Sequence, residues 1–381
     1  MKKLILYAGI SLIGSTIAVG ALAQQVKTHG AVTQYVLPAQ ANQAANMIDF
    51  EHATPMPLPN PGYASPTEAE SSLLTPSRLG APGHAAGGLG DGKRESLQLA
   101  RPSPLAAQDE VGSQEFGTSS QVFTTNRVDA LGDNTQFYYP YRATGKLFFN
   151  IGGSTFVCSA SLIKPGVVVT AAHCVANFGR QQFYSRWVFV PAYSNGSAPY
   201  GVWTALTAAV LTAYYNGTDS CAVSGVVCQD DVAVLVLNPQ SGVYAGNRAG
   251  WYGYGWNGYG FNGSAQALID QLGYPVALDS GALMERNDSQ GFRSPSFSNN
   301  TIIGSLLTGG SSGGPWHVNL GIAPNLAGTS FGSAAQRNTV VGVTSWGYTN
   351  PAVKQQGASP FTSGNIVPLV NFACSVRPGA C

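Results

Sequence analysis

The sequence predicts an all-β protein whose strands form paired barrels. From about residue 138 onward, short runs of β-branched and aromatic residues alternate with turns rich in Gly, Asn and Ser. Short strands bounded by such turns are typical of barrels and sandwiches. Helical periodicity is sparse apart from a short helix predicted at the C-terminus. The runs are Lys146–Ile151, Phe156–Ile163, Val167–Ala171, Trp187–Pro191, Val232–Leu237, Thr339–Ser345 and Ile366–Phe372.

Two tracts refine this interpretation. In the run that starts at Asp231, alternate residues on both faces are apolar, which predicts a strand buried on both sides. The glycine-spaced aromatic tract at 250–263 fits either a tight loop whose rings cover a barrel rim or a stacking platform for a ligand, and we favour the rim.

The first 23 residues have the pattern of an export signal. Lys2 and Lys3 precede an apolar stretch from Leu4 to about Val19, and small residues at 21 and 23 offer a cleavage site. A retained membrane anchor is the alternative. Glycines interrupt the stretch, and no second apolar span follows, so a cleaved signal and an exported protein are favoured.

Residues 24–126 differ in composition from the chain that follows. They are rich in Pro, Ala, Ser and Gln and contain no cysteine. We expect little of this region to bury a core and much of it to be flexible. It is interpreted as a propeptide, with a plain linker as the alternative, and residues 127–381 as the folded domain. The junction is expected near Thr125-Asn126-Arg127-Val128.

The overall charge excludes several partner classes. Charged residues make up 10% of the chain and the net charge is +1. The sequence therefore predicts no basic surface that would bind nucleic acid or an anionic membrane.

Three segments carry candidate catalytic residues. They are TAAHC at 170–174, DDVAVLVL at 230–237 and GGSSGGPW at 309–316. A serine hydroxyl becomes a nucleophile at neutral pH when a histidine takes its proton and a carboxylate holds that histidine in the right tautomer. Taken singly, the serine could mark a turn, and the histidine could be a core residue or a metal ligand.

The order of these residues discriminates between folds. Gly310-Ser311-Ser312-Gly313-Gly314 matches the G-x-S-x-G pattern of α/β-hydrolases, whose acid follows the serine. No Asp or Glu follows Asp288, so that fold is excluded. The order histidine, aspartate, serine is the one used by double β-barrel proteases.

These segments resemble the trypsin/chymotrypsin-like serine endopeptidases. The chain is most similar to their bacterial, glutamyl-endopeptidase-like branch, as YPYRATGKLFF at 139–149, LGYPV at 272–276 and VTSWG at 343–347 also indicate. The resemblance covers roughly residues 127 to 381. It implies two antiparallel six-stranded barrels with the active site between them.

The resemblance also implies a role for each site residue. His173 would be the general base, Asp231 would orient it, and Ser312 would be the nucleophile; Asp230 remains an alternative to Asp231. Backbone N–H groups of Gly310 and Ser312 would form the oxyanion hole. The substrate backbone and the primary specificity pocket would be bounded by Leu306, Leu307, Ser345, Trp346 and Gly347.

The chain departs from the family at three positions. Ser311 stands where trypsin-like enzymes carry an aspartate that pairs with the new amino terminus, so activation must differ. Leu306 replaces the aspartate that selects Lys or Arg, and Thr344 replaces the histidine of glutamate-specific relatives. We therefore expect an apolar or small residue before the scissile bond.

Six cysteines, all after residue 157, indicate an oxidising compartment. Fifteen pairings are open. Chain proximity favours Cys158–Cys174, Cys221–Cys228 and Cys374–Cys381, and the first of these resembles the family's bridge beside the catalytic histidine.

The function expected is that of a secreted or periplasmic serine endopeptidase made as a proenzyme. It would act on proteins or peptides as a monomer, with no cofactor and no metal site. The alternatives are a catalytically silent binding protein on the same fold and an esterase-like hydrolase.

Overall fold

The computed structural model describes most of the chain after the predicted signal. The described residues are 25–38, 45–59, 80–103, 122–223, 225–263, 265–293, 301–322, 335–347 and 353–381. The predicted signal at 1–23 lies outside them. Among the helices of these described ranges, none has the length and apolarity needed to cross a membrane.

Among the described residues, five strands precede the predicted catalytic domain or end at its first residue. They are β1 (Gln25–His29), β2 (Val32–Val36), β3 (Thr54–Pro55), β4 (Gly83–Ala85) and β5 (Phe123–Arg127).

Ten strands follow in the described residues of the first half of the domain. They are β6 (Thr144–Ile151), β7 (Ser154–Lys164), β8 (Val167–Thr170), β9 (Ala176–Asn177), β10 (Gln182–Phe183), β11 (Ser185–Pro191), β12 (Trp203–Leu211), β13 (Cys221–Val223), β14 (Val226–Cys228) and β15 (Ala233–Leu237). Within the described residues, β12, β11, β6, β7, β8 and β15 pair in that order, and β15 returns to β12. These pairings are all antiparallel, so the six strands form a closed barrel.

The second half of the domain repeats this arrangement. Its strands are β16 (Gly253–Trp256), β17 (Gln266–Gly273), β18 (Glu285–Arg293), β19 (Thr301–Gly304), β20 (Pro315–Val318), β21 (Thr339–Gly347) and β22 (Gln355–Pro360). In the part of the chain that is described, β20, β17, β18, β19, β22 and β21 form a second closed antiparallel ring. The prediction of two six-stranded antiparallel barrels is therefore confirmed.

The interior of the first barrel follows the sequence pattern closely. Every residue of β15 is buried, as expected for a strand that is apolar on both faces. The fully buried rings of Trp187 and Trp203 lie in the same hydrophobic core. Burying an aromatic or large aliphatic side chain stabilises the fold by ~1.5–3 kcal/mol.

The α-helices of the described residues are short. They are α1 (Thr212–Asn216), α2 (Ala245–Ala249) and α3 (Ile366–Val376). The run Ile366–Phe372 is not a strand: it lies in α3, which is the predicted C-terminal helix, and the side chain of Asn365 accepts a hydrogen bond at its start. Ile366, Leu369, Val370 and Ala373 are buried, and α3 packs on the first barrel.

The three predicted disulfides are confirmed. Cys158 pairs with Cys174, Cys221 with Cys228 and Cys374 with Cys381. The first bridge closes a loop of 16 residues, and on the chain-entropy account this contributes about 3 kcal/mol.

The aromatic tract lies where the rim interpretation placed it. Tyr252 is fully buried and shares a hydrogen bond with Thr144, and the ring of Tyr259 stacks on His84. Rings that are engaged in this way cover the barrel and do not offer a free stacking platform.

The described segments of residues 24–126 pair with both barrels. Strand β2 pairs with β12 of the first barrel, and β5 pairs with β18 of the second. Val32, Tyr35 and Leu37 are buried in the first core. These segments form no separate hydrophobic core, as their composition indicates. They add strands to the sheets of the two barrels.

The N-terminal region also encloses a charged side chain. Lys146 on β6 is 3% exposed, and its ammonium donates a hydrogen bond to the carbonyl of Gly281. Phe50, Ala53, Pro55 and Pro102 line the same small cavity. Burial lowers the pKa of Lys146 to about 7.

We expect Lys146 to make stability depend on pH. Above about pH 7 the folded chain has released this proton, whereas the unfolded chain keeps it up to a pKa of about 10.4. At this side chain the unfolded state binds more protons in this window, so Lys146 contributes a positive slope of the free energy of unfolding against pH, of at most about 1.4 kcal/mol per pH unit. Urea unfolding at pH 7, 8 and 9 measures this slope.

The variant Lys146→Met should lower the slope, whereas Lys27→Met should not. Lys27 is exposed on β1, so its surroundings change little on unfolding. Equal slopes in wild type and in Lys146→Met would contradict the prediction.

Candidate active site

The loop that carries Ser312 is a tight turn at the second barrel. Gly310 has a φ of +91° and Gly313 a φ of +75°, a backbone region that glycine adopts at little cost. A Cβ atom on Gly313 would lie 1.9 Å from Oγ1 of Thr170. The loop is therefore packed tightly against the segment that leads into His173. Ser312 itself is fully buried.

His173 lies in a single 3-10 turn, Ala172–Cys174, directly after β8. The bridge from Cys174 to Cys158 ties this turn to β7. The main-chain N–H of His173 donates to Oδ1 of Asp231, and Nδ1 lies 2.8 Å from Oδ2 of the same carboxylate. With Nδ1 donating to the carboxylate, Nε2 is left as the acceptor nitrogen of the ring.

Asp231 is the aspartate that contacts His173. It is 3% exposed, and Oδ2 also accepts a hydrogen bond of 2.6 Å from Oγ of Ser345. Burial alone would raise the pKa of Asp231, but the charge of His173 and hydrogen bonds from His173 and Ser345 hold it below its usual value. The carboxylate thus stays ionised beside the imidazole. Burial raises the pKa of the neighbouring Asp230 to about 6.

Two atoms of this cluster have no partner. Among the described residues, neither Oγ of Ser312 nor Nε2 of His173 makes a hydrogen bond, and both atoms are buried. The structure therefore joins Ser345, Asp231 and His173 in one hydrogen-bonded chain, and Ser312 packs nearby without bonding to the histidine. Catalytic hydrogen bonds often close only when substrate is bound.

The predicted oxyanion position is occupied by another part of the chain. The N–H of Gly310 donates a hydrogen bond of 3.1 Å to the carbonyl of Met56. Met56 is a site residue that the sequence reasoning missed, because a main-chain carbonyl in a proline-rich segment carries no motif.

The residues predicted to form the specificity pocket come from two segments, the stretch before the Ser312 turn and the end of β21. Leu306 and Leu307 are 5% and 3% exposed, and Ser345, Trp346 and Gly347 end β21. Behind them the sequence reasoning missed a buried polar network. Nε2 of Gln271 donates both to Oγ1 of Thr344 and to Oε1 of Gln356.

This network satisfies its own polar groups. Gln356 donates to the carbonyl of Leu307, and Trp316 donates to the Thr344 hydroxyl at 2.8 Å. Buried amides that are already paired have few hydrogen-bonding groups left for a charged side chain.

Two clusters in the described ranges bring potential metal ligands together. One joins His173 with Cys158 and Cys174, and the other joins Asp219 with Cys221 and Cys228. All four cysteines are in disulfides, so their sulfurs are not available as the thiolates that bind metals.

Comparison with known families agrees with this geometry. The sequence model of the trypsin family, described as Trypsin, matches residues 134–363, which is more than half of the chain. The chain belongs to the trypsin family. Membership of this family supports a serine endopeptidase, a hydrolase whose substrates are proteins or peptides. The resemblance inferred from the motifs is confirmed.

A curated relative matches a smaller part of the chain than the family model does. A Bacillus subtilis (strain 168) protein named extracellular metalloprotease is 30% identical over 142 residues, which are 35% of this chain and 39% of that protein. The chain thus spans well under half the length of this relative.

Three solved structures are similar to between 61% and 66% of this chain. Protease Anisep from Arthrobacter nicotinovorans is 28% identical, with a TM-score of 0.47, over 61% of this chain and 96% of that one. The thermostable serine protease AL20 from an extremophilic microorganism is 27% identical, with a TM-score of 0.48, over 62% of this chain and 98% of that one. A Glu endopeptidase in complex with MPD is 21% identical, with a TM-score of 0.45, over 66% and 96%.

Proposed function

We propose that this chain is an exported serine endopeptidase that uses Ser312, His173 and Asp231 and is made as a proenzyme. The observation that carries the proposal is the pair of hydrogen bonds that fixes His173 on Asp231 in a member of the trypsin family. A histidine held through its main chain and through Nδ1 keeps Nε2 as the ring nitrogen that can accept the proton of the serine.

In this mechanism Nε2 of His173 takes the proton of Ser312 as Oγ attacks the peptide carbonyl. Asp231 stabilises the imidazolium that forms. The N–H groups of Gly310 and Ser312 stabilise the negative charge on the carbonyl oxygen. His173 then protonates the leaving amine, and water hydrolyses the acyl-enzyme by the same route in reverse. No step uses a cofactor.

Export and maturation complete the proposal. The charged and apolar start of the chain supports a cleaved signal, and three disulfides suit an oxidising compartment. The proposed junction at residues 125–128 falls at β5, which pairs with β18. Cleavage there requires this edge strand to open first. We propose that the mature enzyme acts as a monomer.

Cleavage specificity tests the pocket. We expect processed protein to cut a peptide library mainly after apolar or small residues, because Leu306 and Leu307 stand where an acidic group would be needed to bind Lys or Arg. Mass spectrometry of the products gives the residue before each cut. Dominant cleavage after Arg, Lys or Glu would contradict the assignment.

The rival function is a silent binding protein on the same fold. It predicts that processed protein leaves casein uncut, whereas the endopeptidase degrades it. An esterase would hydrolyse activated esters but leave the same peptide bonds intact.

A further inference from the structure

A segment of the N-terminal region crosses the candidate active site. We call residues Thr54–Pro59 the strap. The N–H of Met56 donates to the carbonyl of Val157 at 2.8 Å, and the carbonyl of Met56 accepts from Gly310 at 3.1 Å. Three residues later, the carbonyl of Pro59 accepts from the N–H of Gly347 at 3.1 Å.

These contacts define the direction of the strap. Its first residues form β3, which runs parallel to β7. The chain then passes Gly310, the proposed oxyanion donor, and reaches Gly347 at the end of β21. It therefore runs from the oxyanion position toward the wall of the specificity pocket.

A substrate would run the opposite way. In the proposed mechanism the carbonyl under attack lies at Gly310, and the residues before the scissile bond lie along Ser345–Gly347. From its N-terminus to its C-terminus, a substrate thus passes Gly347 first and Gly310 afterwards. The strap uses the same backbone donors in reverse order.

We propose that the strap is an inhibitory ligand of the active site that binds in reverse and so occupies the cleft without being cut. This inference rests on the proposed function, because the strap inhibits only if Ser312 is the nucleophile. The partner that this surface fits is an extended peptide with alternating prolines.

The composition of the strap suits this role. Pro55, Pro57 and Pro59 have no N–H group, so the strap meets the cleft mainly through its carbonyls. Proline also restricts the free segment to extended conformations, which lowers the entropy lost on binding. The side chain of Leu58 lies against Gly347: its Cδ1 atom would be 3.2 Å from a Cβ built on that glycine.

A disulfide trap tests the direction independently of activity. A Cβ atom on Gly347 would lie 3.9 Å from Cβ of Leu58, within the ~3.5–4.5 Å of native disulfides. The full chain with Leu58→Cys and Gly347→Cys, in a Ser312→Ala background, should therefore form this cross-link. Peptide mapping without reduction detects it, and retention of the three native bridges shows that the variant has folded.

The control pair is Thr54→Cys with Gly347→Cys. A strap in the substrate direction, with Met56 still at Gly310, would place a residue near Thr54 at Gly347. In the structure Thr54 instead pairs with Phe156. A cross-link from position 58 and none from position 54 supports the proposal. A cross-link from position 54, or from neither position in folded protein, overturns it.

A second experiment tests whether the strap escapes cleavage because of its direction or because a proline follows Met56. In chain with an intact Ser312, the variant Pro57→Ala should still not be cut after Met56, because the reversed strap presents no correctly placed bond. Cleavage at that bond in Pro57→Ala, but not when Ser312→Ala is added, would show a forward strap and overturn the proposal.

The same variants separate this inference from the proposed function. With Ser312 intact, the cross-linked Leu58→Cys, Gly347→Cys chain should lose labelling by a fluorophosphonate that processed wild type accepts. If Ser312 is not the nucleophile, processed wild type carries no label on Ser312 either, although the cross-link still forms. Full labelling of the cross-linked chain would overturn the inhibitory role of the strap and would leave the assignment of Ser312 intact.

Discussion

Replacing Ser312 with alanine is expected to lower kcat for peptide hydrolysis by about 10⁶-fold in processed protein. The alanine removes the atom that forms the acyl-enzyme, so only substrate binding and the backbone donors remain. Because Ser312 is fully buried and its Oγ makes no hydrogen bond among the described residues, the change should leave the fold and the thermal unfolding temperature nearly unaltered. Hydrolysis of a fluorogenic peptide measures the effect.

The neighbouring serine supplies a matched control. The hydroxyl of Ser311 donates to the carbonyl of Thr308 at 2.6 Å and supports the turn. Ser311→Ala should therefore lower stability by about 1 kcal/mol but retain most of the activity. If Ser311→Ala abolished hydrolysis and Ser312→Ala did not, the nucleophile would have been assigned to the wrong residue.

Replacing Asp231 with asparagine is expected to lower kcat by about 10⁴-fold. The amide keeps the size of the side chain but presents N–H groups to His173, so the imidazole must carry its proton on Nε2 and can no longer accept one from Ser312. The change also removes the acceptor of the Ser345 hydroxyl. Steady-state kinetics on folded, processed variants measure the loss.

Asp230→Asn is the control for this substitution. Asp230 precedes Asp231 directly, but the two hydrogen bonds to His173 come from the carboxylate of Asp231. We expect Asp230→Asn to retain activity within about tenfold of wild type. A larger loss in Asp230→Asn than in Asp231→Asn would reverse the assignment and favour the alternative left open by the sequence.

Much of this fold could be predicted because its signals are local. The runs that became β6, β7 and β21 were recognised from β-branched and aromatic residues between turns, and β15 from apolar residues on both faces. The three disulfides followed from short separations along the chain. In each case the residues that decide the structure are neighbours in the sequence.

Other features could not be predicted because they depend on contacts between distant segments. Ser345 lies 114 positions from Asp231, and no local pattern marks their hydrogen bond. The burial of Lys146 depends on Phe50, Ala53 and Pro55. Strands β2 and β5 are ordered because each pairs with a strand of a barrel, β2 with β12 and β5 with β18.

The strap illustrates the same limit most clearly. Its contacts with Val157, Gly310 and Gly347 are made by the main chain, so its composition predicts only an extended, flexible segment. Low apolar content shows that a segment cannot fold alone, but it does not show whether a neighbouring domain will bind it.

The most direct measurement is to locate the covalent adduct of a fluorophosphonate on processed protein by tandem mass spectrometry. The proposed mechanism predicts one adduct, on Oγ of Ser312, which disappears when the protein is unfolded first or when Asp231 is replaced by asparagine. An adduct on any other residue, or no adduct on protein that degrades casein, would contradict the assignment of Ser312 as the nucleophile.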